Sequence, residues 1–71
     1  MLRLRLWRLS LGLTQAEAAR RLGMSHLTLS YLESGRLQPG ERDLERLRLV
    51  FGGQAARMFE RVGHDVEEAA R

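Results

Sequence analysis

Residues Thr14 to Gly35, TQAEAARRLGMSHLTLSYLESG, decide how this chain folds. Thr14 is placed to cap a helix, and Glu17, three residues on, completes a capping box with it. Ala18, Ala19 and Leu22 supply the inner face of that helix. Gly23 breaks it, at a position suited to a left-handed turn residue. Ser25 caps a second helix, along which Leu29 and Leu32 point inward until Gly35 ends it. So short a link sets the two helices across each other and rules out a long coiled coil between them.

Outward from this segment the chain stays helical. Residues 2–11 first suggest a strand, because Leu2, Leu4 and Leu6 alternate with arginine. The alternation loses phase at Trp7 and resumes on Leu9 and Leu11. A helix accommodates both phases, with Leu4, Trp7 and Leu11 on one face and Leu2, Leu6 and Leu9 on the opposite one. Gly12 then ends it. A loop is expected around Leu37–Gly40, and residues 41–51 form a helix with Leu44, Leu47 and Phe51 on one face. Gly52-Gly53 punctuates, and residues 54–62 are expected to form a fifth helix carrying Met58, Phe59 and Val62. The tail from Gly63 is polar and acidic, and either frays or forms a short helix. The expectation is an all-α, compact five-helix domain over residues 1–62, followed by a C-terminal tail, 63–71.

At 71 residues there is room for one small core, and without cysteine neither a disulfide nor a thiolate metal site supports it. Oligomerisation is the remaining common aid for so short a chain. All twelve basic residues are arginine, which fits a GC-rich coding sequence. The formal charge of +3 conceals an asymmetry. Residues 1–36 hold six arginines against Glu17 and Glu33, or +4, whereas residues 37–71 hold six against seven acids, or −1. The basic half contains the paired helices, as a nucleic-acid footprint requires. MLRLRLWRLSLGL lacks the uninterrupted apolar run of a signal peptide, although its freedom from acids gives it a slight likeness to a transit peptide. No segment approaches transmembrane length, so a cytoplasmic, nucleoid-associated location and no membrane partner are expected. His26 and His64 are the only histidines, and the glycines lack a phosphate-loop spacing. No catalytic residue, metal site or cofactor is therefore expected.

The matching positions are Arg8, Gly12-Leu13-Thr14-Gln15, Ala19, Leu22-Gly23-Met24-Ser25, Leu29, Leu32-Glu33-Ser34-Gly35, Pro39 and Leu44/Leu47/Phe51. With these the chain resembles the lambda-repressor-like, Cro/Xre-type helix-turn-helix family from about Leu4 to Gly52. A bare helix-turn-helix pattern is weak evidence, but the full string with its flanking helices in register is strong. The resemblance implies double-stranded DNA as partner, with the second helix of the motif lying in the major groove.

It also implies roles residue by residue. Arg8 and Glu33 correspond to a buried ion pair tying the first helix to the end of the recognition helix. Gln15 corresponds to a phosphate contact, although taken alone it reads as a solvated polar residue. The base-facing positions are His26, Leu27 and Tyr31. This is a departure, since many members carry glutamine, arginine or asparagine there. None of the three makes the usual bidentate contact to guanine or adenine. His26 is expected to donate to guanine N7 or O6, Leu27 to pack on a thymine methyl, and Tyr31 to reach a base edge or phosphate. Ser25, Thr28, Ser30, Arg36 and Arg42 are the further phosphate candidates, while Arg20 and Arg21 read as solvated.

A single domain offers too little contact for tight specific binding, so a homodimer on paired half-sites is expected. Its candidate surfaces are Met58, Phe59 and Val62, or the second stripe of the first helix, Leu2, Leu6 and Leu9. The bland alternative for the former is that they complete the monomer core. The leading reading is a small transcriptional regulator, a repressor by preference. The alternatives are the antitoxin of a toxin–antitoxin pair, which binds its operator and a toxin, and a protein-interaction module that keeps the fold without binding DNA.

Overall fold

The structure, a computed structural model, describes residues 1–62. Four α-helices follow one another: α1 (Arg3–Ser10), α2 (Gln15–Leu22), α3 (His26–Ser34) and α4 (Glu41–Phe51). A 3-10 helix, Gly52–Phe59, then packs against α4 and α1. The expected tail helix in 63–71 falls outside the described residues.

The helix ends explain themselves locally. Thr14 Oγ1 accepts from Glu17 N–H at 3.1 Å while the Glu17 carboxylate accepts from Thr14 N–H at 2.9 Å, so the predicted capping box closes α2. Ser25 Oγ accepts from Thr28 N–H at 3.1 Å and caps α3. After α2, Gly23 turns left-handed at φ 69°, and Met24 N–H reaches back to Ala19 O at 3.0 Å. This satisfies a carbonyl that would otherwise be orphaned at the helix end.

Leu4, Ala18, Leu29 and Leu47 are fully buried, and Ala19, Leu22, Leu32, Ala55 and Met58 complete the core. α2 and α3 cross closely because Ala18 and Ala19 put only a methyl group between them. Trp7 meets Phe51 edge-on, with ring centroids 5.0 Å apart at 86°. That pair pins α1 to the end of α4 and adds about 0.5–1.5 kcal/mol beyond area burial. Leu11, expected on the same face as Trp7, is instead exposed. α1 ends at Ser10, and Leu11 already lies in the turn that leads to Gly12.

The fifth helix departs from expectation. Residues 52–59 wind as a 3-10 helix rather than an α-helix over 54–62, and Val62 lies beyond it. Two causes are visible. Gly52 takes φ 59° and ψ −135°, a conformation outside any helix, and no side chain caps the turn that follows. Downstream, the backbone of residues 60–62 is spent on the N-terminus. Arg3 N–H donates to Glu60 O at 2.8 Å, and Val62 N–H donates to Met1 O at 2.7 Å. The terminal amine adds a bond to Val62 O at 3.1 Å, and Leu2 and Arg61 form an antiparallel bridge. The tighter winding has a packing consequence, because residues three apart eclipse in a 3-10 helix. Ala55 and Met58 are thereby buried together.

Candidate nucleic-acid interface

The start of α2 and the start of α3 meet at one surface, and a hydrogen-bonded chain runs inward from it. Arg8 grips Glu33 in two-pronged fashion, Nε to Oε2 at 2.8 Å and an Nη to Oε1 at 3.0 Å. The Glu33 side chain is 4 % exposed and that of Arg8 11 %, so this is a buried pair. Arg8 also donates to Leu13 O at 3.0 Å, which satisfies the carbonyl leading into the α2 cap. Glu33 Oε1 accepts a third bond, from Gln15 Nε2 at 3.1 Å. Gln15 Oε1 in turn lies 3.2 Å from His26 Nε2. Four residues from α1, α2 and α3 thus form one relay that ends at the exposed first residue of α3.

The relay constrains Gln15. Both ends of its amide are engaged, so what remains for an external anion is the second Nε2 hydrogen and the backbone N–H in the first turn of α2. The family resemblance pointed to the Arg8–Glu33 pair. The sequence pattern carried no sign that Gln15 and His26 join the pair, since their separations along the chain follow no local period.

His26, Leu27 and Tyr31 are all exposed on α3, Leu27 most at 60 %. Thr28 and Ser30 are half-buried. Ser25 Oγ donates to Thr28 Oγ1 at 2.8 Å as well as capping α3. Its one hydroxyl hydrogen is therefore taken up by Thr28, and the free hydrogen of the pair is on Thr28. Arg36 and Arg42 are exposed and make no ion pair among the described residues. Arg42 borders a depression of about 290 Å³ shared with Ser25, Thr28 and Arg46. Arg46 donates to Gly23 O, fastening α4 to the turn between α2 and α3.

One arginine escaped the sequence reading. Arg5 lines a cleft of about 230 Å³ with Arg8, Gln15, Ser30, Glu33 and Ser34. It is exposed and unpaired among the described residues. Its spacing of three from Arg8 was the available signal, because both then lie on the side of α1 that faces α3. On the other flank, Glu17 has its carboxyl held below the usual carboxylate range. The bond from Thr14 N–H is the main cause, followed by the Thr14 side chain and then the nearby Arg20 and Arg21.

The candidate partner residues lie elsewhere. Met58 is only 4 % exposed and packs mostly into the monomer core. The 3-10 spacing turns it inward beside Ala55. Phe59 and Val62 are half-buried, Leu2 is half-buried beside Arg61, and Leu6 and Leu9 are exposed. Leu6, Trp7, Phe51 and Met58 floor a groove of about 500 Å³, with Arg3, Ser10 and Gln54 at its margin. Leu49, at 87 % exposure the most open apolar residue among those described, stands on the outer face of α4. No helix among the described residues is long and apolar enough to cross a membrane.

Residues 2–58 match the family model described as a helix-turn-helix domain. No curated protein matches the chain, and neither does any solved structure.

Proposed function

The chain belongs to the helix-turn-helix domain family, and from that premise we propose that it binds double-stranded DNA sequence-specifically as a small transcriptional repressor. α3 enters the major groove with His26, Leu27 and Tyr31 toward the base edges. Gln15, Thr28, Ser30, Arg36 and Arg42 take the flanking phosphates, with Ser25 holding the start of α3. The observation that carries this reading is the relay from Arg8 through Glu33 and Gln15 to His26. It holds the two helix starts rigidly at one surface, and a preorganised constellation of this kind is what a base reader needs. DNA as partner assigns the work to the nucleoid, in the cytoplasm.

With no glutamine, asparagine or arginine on α3 to make a bidentate base contact, phosphate contacts and DNA shape supply much of the affinity. A homodimer on paired half-sites supplies the remaining contact. Leu6, Leu9 and the apolar groove beside Trp7 form its interface. The test is a gel shift on the upstream region of the chain's own gene at several salt concentrations. A shift that weakens steeply with salt is expected, and no shift at low salt would overturn the reading.

The same groove supports a second reading, in which a toxin protein occupies it and the chain is an antitoxin that also binds its operator. Sedimentation separates the two. A dimer of the isolated chain at micromolar concentration supports the repressor, and a monomer that becomes stoichiometric with a co-expressed neighbour supports the antitoxin.

A further inference from the structure

The relay that ends at His26 fixes more than a position. Glu33 carries only acceptors, and Arg8 occupies both of its oxygens, leaving a third bond at Oε1. Gln15 therefore turns its NH2 group toward Glu33. Reversing the amide would set its carbonyl oxygen against the carboxylate at the same 3.1 Å separation, with no proton between them. Held this way, Gln15 presents Oε1 to His26 Nε2 at 3.2 Å. A carbonyl oxygen only accepts, so Nε2 carries the hydrogen. In a neutral imidazole the other nitrogen, Nδ1, is then an acceptor. Nδ1 has no hydrogen-bond partner among the described residues, and the ring is exposed.

We propose that the Arg8–Glu33–Gln15 relay locks His26 as the Nε2-protonated tautomer, so that its free Nδ1 selects a base presenting an amino group. In the major groove those bases are cytosine, through N4, and adenine, through N6. Guanine presents N7 and O6, both acceptors, and is disfavoured at this position. The geometry thus reverses the donation to guanine that histidine at a helix start would suggest. Gln15 is a positioning residue here, acting on the base through His26. The proposal rests on the DNA-binding reading, and its chemistry concerns one base position of each half-site.

Two measurements test it on the intact chain. Long-range proton–nitrogen NMR at about pH 8 identifies which ring nitrogen of His26 carries the hydrogen. Nε2–H is expected in the wild type, and a predominant Nδ1–H form would overturn the proposal. Selection from a duplex library randomised across one half-site gives the base preference. At one position cytosine or adenine should exceed guanine by about two- to tenfold, the worth of one neutral hydrogen bond. Gln15→Ala should erase that preference; loss of its phosphate contact weakens binding on all duplexes alike, so the relative preferences at the remaining positions stay. Enrichment of guanine in the wild type, or an unchanged preference in Gln15→Ala, would overturn the proposal and leave DNA binding standing. If no duplex is enriched at all, the DNA-binding reading falls and this proposal falls with it.

Discussion

Glu33 is the residue on which most of the local order depends. It is nearly inaccessible, holds Arg8 by two bonds and orients Gln15 by a third. Glu33→Ala leaves a buried guanidinium without its partner, which should cost about 3–5 kcal/mol. Urea unfolding is the measurement, and a loss below about 1 kcal/mol would place the pair among ordinary surface ion pairs. Gly23 illustrates a different dependence. Its φ of 69° is one that residues with a side chain rarely adopt, and a Cβ there would sit 3.0 Å from Arg46. Gly23→Ala should cost about 1–2 kcal/mol from the left-handed backbone, with disruption of the Arg46 bond in addition. Thermal unfolding of that variant beside Gly35→Ala, where a Cβ meets nothing within 4 Å, separates strain from crowding.

Glu17 makes stability depend on pH. Its carboxyl titrates below the ordinary carboxylate range in the folded chain because Thr14 N–H bonds its charged form. A lowered native value means that the folded state binds this proton less readily than the unfolded one. The contribution of Glu17 is therefore complete above the ordinary carboxylate range and is lost as pH falls through the lowered native value. Melting curves of the wild type and Glu17→Gln should differ near neutrality and converge in acid. Curves that stay parallel throughout would assign the cap entirely to the Thr14 hydroxyl.

At the scale of elements, α2, α3 and α4 begin and end where the residues say they should, while α1 stops at Ser10 and leaves Leu11 in the turn. Caps and glycines act within a few residues, and the apolar stripes repeat at helical spacing, so these boundaries are legible locally. The segment after Gly52 was not. Met58, Phe59 and Val62 are compatible with an α-helix in isolation. What prevents one is the pairing of residues 60–62 with Met1–Arg3, a contact that no local pattern encodes. The extension of the Arg8–Glu33 pair through Gln15 to His26 eluded the sequence for the same reason, since Gln15 meets both residues only once α2 and α3 have crossed. Gly52 is where this tertiary demand is felt in the backbone. Gly52→Ala should cost about 1–3 kcal/mol for the sparsely allowed conformation. Near-ultraviolet dichroism of Trp7, which rests on Phe51 next door, should weaken with it. An unperturbed Trp7 signal would mean that the 3-10 helix and the aromatic pair are independent.

The whole molecule presents two faces of different chemistry. One carries exposed arginines around the ends of α3, and the other carries exposed leucines on α1 beside the groove at Trp7. If the basic face binds phosphates, Arg36→Ala and Arg42→Ala should each weaken binding on every duplex and reduce the salt slope by about one. A loss confined to some sequences would contradict the phosphate role. If the leucine face joins two copies, Leu6→Glu should shift the chain to monomer in sedimentation with its melting temperature largely kept. An unchanged dimer would move the interface elsewhere. The pairing of Met1 with Val62, finally, brings the two ends of the described fold side by side. Tension applied across those ends meets the hydrogen bonds one after another, as a zip is opened, rather than all at once in shear. The first event under load is then the peeling of residues 1–3 from residues 60–62, and the relay at His26 outlasts it.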